Sequence, residues 1–186
     1  MDCAPVPPSS KPAVFFDRDG VVNESPGNGY VLRWDDFHFT PGIIPALALC
    51  RSRGYATVLV TSQQGVGKEW MSQADLDDIH ARMQAALAEH GAAFDAIHAC
   101  THLSGTCTCR KPSPEMIFRA RDNLRLDLVR SWLVGDHDRD IQMAINAGVP
   151  RRIRILSHHV PTVVADFTLA DTAGLEALLD THLPPV

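Results

Sequence analysis

Asp17 and Asp19 stand one residue apart at the end of the apolar run 13–16, with Gly20 directly after them. In such a pair one carboxylate can attack phosphorus and carry an aspartyl-phosphate, while the other protonates the leaving oxygen and then takes a proton from water. The same residues also read as a strand that ends in an acidic turn. Three more patterns follow in chain order. The run 58–60 breaks into Thr61, Ser62 and Gln63, where a hydroxyl and backbone N–H groups can receive phosphoryl oxygens. Arg110 and Lys111 put two positive charges just ahead of a helix entrance, a place that already favours an anion. The run 133–135 delivers Asp136, which can share a magnesium ion with Asp17 and so offset repulsion between a phosphate and a carboxylate nucleophile. Taken singly, each pattern is also an ordinary turn or a solvated charge pair. All four in order, with acids and hydroxyl at strand ends, are hard to obtain by chance.

Cys100, His102, Cys107 and Cys109 add three thiols and an imidazole within one short segment. Three thiolates and one imidazole make a closed tetrahedral set, the usual form of a structural zinc site, and such a metal stabilises a loop that has no core of its own. A redox pair at Cys107 and Cys109, or a merely buried Cys100, is the competing reading. Clustering of this kind in a reducing compartment fits a metal better than disulfides.

These groups need a scaffold of strand ends, and the rest of the chain supplies one. Short apolar runs alternate with longer helical periods, the pattern of βα units around a mostly parallel sheet, so the expected fold is a three-layer α/β domain. Strands are expected over 13–16, 55–60, 94–99, 132–134, 152–156 and 163–168. Helices are expected over 43–53 with Gly54 as the stop, from Ser72 as N-cap to about 90, over about 113–124, over 139–147 before Gly148, and over 173–179. Residues 1–12, rich in proline, read as a flexible arm, and 13–186 as a single domain with its zinc loop at 100–109.

Composition narrows the function classes. A chain of 186 residues with 45% hydrophobic content can bury a core without disulfide staples. A net charge of -5 and no Lys/Arg run argue against a nucleic-acid backbone or an anionic membrane surface as partner. No apolar stretch is long enough to span a bilayer, and the first residues lack a signal-peptide pattern. The expectation is a monomeric cytoplasmic protein acting on a small metabolite. Among the nine histidines, His80, His90, His158 and His159 read as surface residues.

On its four ordered motifs the chain resembles the haloacid dehalogenase superfamily of phosphohydrolases over about residues 13–155. The resemblance implies that Asp17 is the nucleophile, Asp19 the general acid and base, and Thr61 and Lys111 the holders of the transferring phosphoryl group. It implies magnesium bound by the Asp17 side chain, the Asp19 backbone carbonyl and Asp136; Asp140 matches the last acid of the fourth motif, and the resemblance leaves open whether it touches the metal. A zinc loop running into Arg110-Lys111-Pro112 is shared by two groups of the superfamily, the D-glycero-D-manno-heptose 1,7-bisphosphate phosphatases and the histidinol-phosphate phosphatases. In both the zinc is structural and sets the position of Arg110 and Lys111. Chain length and Gly29-Tyr30-Val31 are similar to the heptose enzymes, with Tyr30 at the sugar site, whereas the short stretch between His102 and Cys107 is similar to the histidinol-phosphate enzymes. Ser62 and His137 replace the Asn and Lys usual in the heptose group.

Tyr30, Ser62, Gln63, Arg110 and His137 are therefore the substrate-binding candidates. The heptose reading leads, and histidinol phosphate is the alternative. A phosphatase of nucleic-acid ends and a non-catalytic zinc-bearing interaction module are alternatives of other classes. The gaps between motifs leave no room for a large cap domain, so loops near residues 28–30 and the zinc loop must supply specificity.

Overall fold

The computed structural model describes residues 10–27 and 29–186. Six strands form one sheet: β1 (Lys11–Phe16), β2 (Ala56–Ser62), β3 (Ala96–Cys100), β4 (Leu126–Gly135), β5 (Arg151–Ile155) and β6 (Phe167–Leu169). Every pairing is parallel, in the spatial order β3-β2-β1-β4-β5-β6. The sequence explains why. In β1, Val14 and Phe16 belong to one apolar cluster and Ala13 and Phe15 to the other, so both faces of the strand are covered, as a parallel sheet requires.

The helices are α1 (Ile43–Ser52), the one-turn α2 (Gln64–Gly67), α3 (Gln73–Ala88), α4 (Glu115–Leu124), α5 (Asp138–Ala147) and α6 (Leu175–His182). Leu47 of α1, Ile79 and Met83 of α3 and Leu179 of α6 bury into the cluster on one face of the sheet. Ile117 of α4 and Ile141 and Ala144 of α5 bury into the other. The result is the three-layer α/β architecture. From β1 the sheet grows through β2 and β3 on one side and through β4, β5 and β6 on the other. The carboxyl ends of β1 and β4 thus flank a topological switch point, where open α/β sheets bind ligands.

Local signals act as their chemistry dictates. Ser72 caps α3 by accepting the Asp75 N–H at 3.1 Å, while the Asp75 carboxylate accepts the Ser72 N–H at 2.7 Å. Gly148 ends α5 in the left-handed region at φ 75.

Several boundaries differ from the sequence reading, four of them with a clear physical reason. β1 starts at Lys11, because Lys11 and Pro12 pair with Leu126 and Asp127, so the strand takes up the end of the segment read as an arm. Residues 1–9 and Asn28 lie outside the described residues. The same pairing extends β4 six residues upstream of the apolar core 132–134. β6 forms only at Phe167–Leu169, because the Val163 N–H is taken by Asp138 and Val164 is exposed. α6 begins after a 3-10 turn at Thr172–Gly174 and runs on to His182. Among the described residues, the segment between β1 and β2 holds a 3-10 turn, Trp34–Asp36, and α1, with no cap domain.

Candidate active site and metal centres

Asp17 leaves β1 and Asp136 leaves β4, side by side because Phe16 is in register with Val134, and the Asp17 N–H donates to the Val134 carbonyl at 3.0 Å. Lys111 arrives from the loop before α4. Its ammonium donates to Asp17 Oδ1 at 2.6 Å and pairs with Asp140 Oδ1 at 2.8 Å, with the side chain 1% exposed. Two glycines allow this crowding. A Cβ on Gly20, whose φ is +88, would lie 2.6 Å from Asp136 Oδ2, and one on Gly135 would lie 2.4 Å from Asp140 Cβ.

Asp17, Asp136 and Asp140 bring carboxylate oxygens within 4.8 Å of one another. Burial, and then the charge of Asp140, push Asp17 up to about 6. Burial, and then the charges of Asp17 and Asp140, push Asp136 up to about 8. Three acids facing one ammonium lack positive charge, and an all-oxygen donor set of this kind suits magnesium. Asp140 differs from the other two. Its Oδ2 accepts the His137 N–H at 3.0 Å and its Oδ1 faces Lys111, so both oxygens are already engaged in capping α5 and holding the lysine.

Asp19 sits in a shell of donors. Arg18, fully buried, donates to Asp19 Oδ1 at 3.0 and 3.2 Å, Asn23 Nδ2 donates to Oδ1 at 3.1 Å, and Gln63 Nε2 donates to Oδ2 at 2.9 Å. Burial pushes this carboxyl up, but the guanidinium and the hydrogen bonds overcome it and hold Asp19 below the usual carboxylate range. Gln63 is thereby assigned differently from the sequence reading. It is fully buried, and its two N–H bonds go to Asp19 and to Thr61 Oγ1 at 2.8 Å, so it braces the acid and the hydroxyl instead of facing a substrate. His80 is also corrected from surface to buried: its Nε2 accepts from Arg18 Nη1 at 3.4 Å.

A cleft of about 230 Å³ opens beside Asp19 and Asp136 and is lined by Tyr30, Ser62, Arg110 and His137, four of the five substrate-binding candidates. Ser62 Oγ and Arg110 Nη1 are buried and have no hydrogen-bond partner among the described residues, so each is available to a ligand. Tyr30 packs edge-on against Trp70 with ring centroids 5.4 Å apart, and its hydroxyl donates to Gln64 of α2 at 3.4 Å. Arg139, His158 and His159 also line the cleft. The sequence reading left these three out, although His158 and His159 follow closely on the end of β5, the same kind of position that marked Asp136. A larger hollow of about 360 Å³, lined by Tyr55, Trp132 and Val186 among others, holds none of the acids.

The zinc candidates converge as well. Cys100 Sγ lies 3.6 Å from Cys107 Sγ and 3.9 Å from His102 Nδ1, and Cys109 Sγ lies 3.5 Å from each of the same two atoms. A tetrahedron with zinc–sulfur bonds of about 2.3 Å and zinc–nitrogen bonds of about 2.0 Å has edges of about 3.5 to 3.8 Å, so the four donors fit a zinc ion. The loop is seated on α2: a Cβ on Gly67 would lie 2.6 Å from the Thr101 carbonyl. Cys109 then leads directly into Arg110 and Lys111.

The HAD-hydrolase-like family matches residues 108–152, which include Lys111, Asp136 and Asp140. A D-glycero-beta-D-manno-heptose-1,7-bisphosphate 7-phosphatase of Escherichia coli (strain K12) is 35% identical over 188 residues, covering 95% of this chain and 97% of the relative. The chain belongs to the haloacid dehalogenase superfamily. With a phosphatase matched over nearly its full length, it is a phosphatase. A Vibrio cholerae relative of the same name is 38% identical over 154 residues, 78% of this chain and 82% of its own. Among solved structures of the haloacid dehalogenase fold, the D,D-heptose 1,7-bisphosphate phosphatase from B. bronchiseptica, complexed with magnesium and phosphate, superposes with a TM-score of 0.80 at 31% identity. It covers 91% of this chain and 99% of its own. A HAD-like phosphatase from Mesorhizobium loti gives 0.81 at 29% identity, over 96% and 89%.

Proposed function

We propose that this chain releases the 7-phosphate of D-glycero-β-D-manno-heptose 1,7-bisphosphate through an aspartyl-phosphate on Asp17. For the reaction, the carrying observation is the buried lysine against a buried acid: Lys111 Nζ at 2.6 Å from Asp17 Oδ1, at the switch point of a parallel sheet. For the substrate, support comes from 35% identity over nearly the full length of a relative that bears this name.

Asp17 attacks the phosphorus, while Lys111, the Thr61 hydroxyl and nearby N–H groups hold the phosphoryl oxygens. Asp19 gives a proton to the leaving sugar oxygen, then takes one from the water that hydrolyses the acyl phosphate. Its donor shell of Arg18, Asn23 and Gln63 keeps it ionised without substrate. An arriving phosphate dianion raises its affinity for the proton it must donate. Magnesium held by Asp17, the Asp19 carbonyl and Asp136 supplies the positive charge that this set of acids lacks. Asp140 positions Lys111. Zinc at Cys100, His102, Cys107 and Cys109 has a structural role, fixing Arg110 and Lys111 relative to α2.

Residues 13–186 act as one domain, supported by two apolar clusters that share a single sheet. No helix among the described residues is long and apolar enough to cross a membrane. We take the enzyme to be a cytoplasmic monomer acting on a small sugar phosphate. Phosphate release measured side by side from the two anomers of heptose 1,7-bisphosphate and from histidinol phosphate tests the assignment. Preference for the β anomer is expected. A large preference for histidinol phosphate contradicts it.

A further inference from the structure

We propose that the loop after β5 is a substrate-recognition element in which His158 and His159, together with Arg139, hold a second phosphate on the molecule whose first phosphate meets Asp17. The inference rests on the bisphosphatase reading above and names the protein groups that make the enzyme selective for a doubly phosphorylated substrate.

Both histidines line the same cleft as Asp19, Asp136 and Arg110. Their rings form a chain with His137: His137 and His159 have centroids 4.3 Å apart, and His158 and His159 have centroids 4.1 Å apart. The loop that carries them is tied on both sides of the pair. Before it, the Ser157 hydroxyl donates to the Asp136 carbonyl at 3.3 Å. After it, the Asp138 carboxylate accepts the Thr162 N–H at 2.9 Å, the Val163 N–H at 3.1 Å and the Thr162 hydroxyl. Arg154, 2% exposed, locks the arrangement by donating to Asp138 at 2.6 Å and to the Val163 carbonyl at 3.0 Å. The histidines are thus fixed to the segment that delivers Asp136 and His137.

The N–H donors that line the cleft suit an anion. Two guanidiniums and three imidazoles face Asp19 and Asp136, and Asp19 is already bound by Arg18, Asn23 and Gln63. Arg110 Nη1 has no hydrogen-bond partner among the described residues. A phosphate seated at Asp17 and Lys111 leaves Arg139, His158 and His159 without a ligand. A second phosphate accepts from a guanidinium in pairs and from each imidazole through at least one N–H.

The test compares wild type with the double variant His158→Ala/His159→Ala, whose backbone anchors are untouched, on heptose 1,7-bisphosphate and on p-nitrophenyl phosphate. Both proteins are first matched for thermal melting. The expected result is a fall in kcat/KM for the bisphosphate of about tenfold or more, carried by KM, the size of one lost hydrogen bond to a charged group. Activity on p-nitrophenyl phosphate should stay unchanged. Equal losses on both substrates mean a structural role and overturn the proposal, as does no loss on either. A wild type that does not prefer the bisphosphate overturns the substrate reading as well. A wild type that prefers it, with a variant that keeps the preference, overturns this inference alone.

Discussion

Replacing Lys111 by methionine removes a cation buried among carboxylates, and its cost should depend on pH in a definite direction. The ammonium is 2.6 Å from Asp17 and 2.8 Å from Asp140. Breaking one partner of a buried ion pair costs about 3–5 kcal/mol, because the charge left behind is neither hydrated nor paired. Protonation is the available relief. Asp17 and Asp136 are already pushed up to about 6 and about 8, in each case by burial first. Burial also pushes Asp140 up, but the charge and hydrogen bond of Lys111 outweigh it and hold that acid below the ordinary range. Without Lys111 the hold is lost. The variant's native state then binds more protons than the wild type's above the pH where an unfolded aspartate ionises, so the stability gap between them widens as pH rises. Urea denaturation of both proteins without added magnesium should give a gap of about 3–5 kcal/mol near pH 8 and a smaller one near pH 5. Equal gaps at the two pH values, or a gap under about 1 kcal/mol near pH 8, would refute the reasoning.

Burial first, and then Arg18, push His80 down to about 4 from an ordinary 6.5. The stability gained by keeping it neutral is complete above the unfolded value and is lost as pH falls across that window, so His80→Gln should flatten the acid limb of stability by at most about 3 kcal/mol, read by thermal melting. Gly67→Val forces a side chain into the zinc-loop backbone at Thr101, and a loss of about 1–3 kcal/mol should appear in the urea midpoint. Elemental analysis should find one zinc per chain in wild type and little in Cys107→Ser, whose melting temperature should drop; wild-type protein that melts unchanged after zinc is stripped contradicts the structural role.

The strand-end positions of Asp17, Thr61 and Asp136 were legible because apolar runs that break into polar groups mark the edge of a parallel sheet. Ser72 with Asp75, and Gly148, were legible because capping is local chemistry. What escaped depends on contacts distant in sequence. His80 falls on the buried stripe of α3 beside Leu76, Ile79 and Met83, a signal that its polarity masked. Gln63 looked like a free amide until the fold brought Asp19 and Thr61 to it. The loop bearing His158 and His159 takes its place from Asp138 capturing Thr162 across 24 residues, and no spacing rule reveals that. The upstream half of β4 was hidden because Asp127, Arg130 and Ser131 interrupt its apolar pattern.

The account centres on the Asp17 carboxylate as the group that carries the phosphoryl. Quenching the enzyme in acid during turnover, reducing acyl phosphates with borohydride and sequencing the peptides by mass spectrometry tests it directly, because reduction of an aspartyl-phosphate leaves homoserine at that position. Homoserine at position 17, dependent on substrate and magnesium, is the predicted result. Homoserine at position 19 or 136 instead, or full turnover by Asp17→Asn, would contradict it.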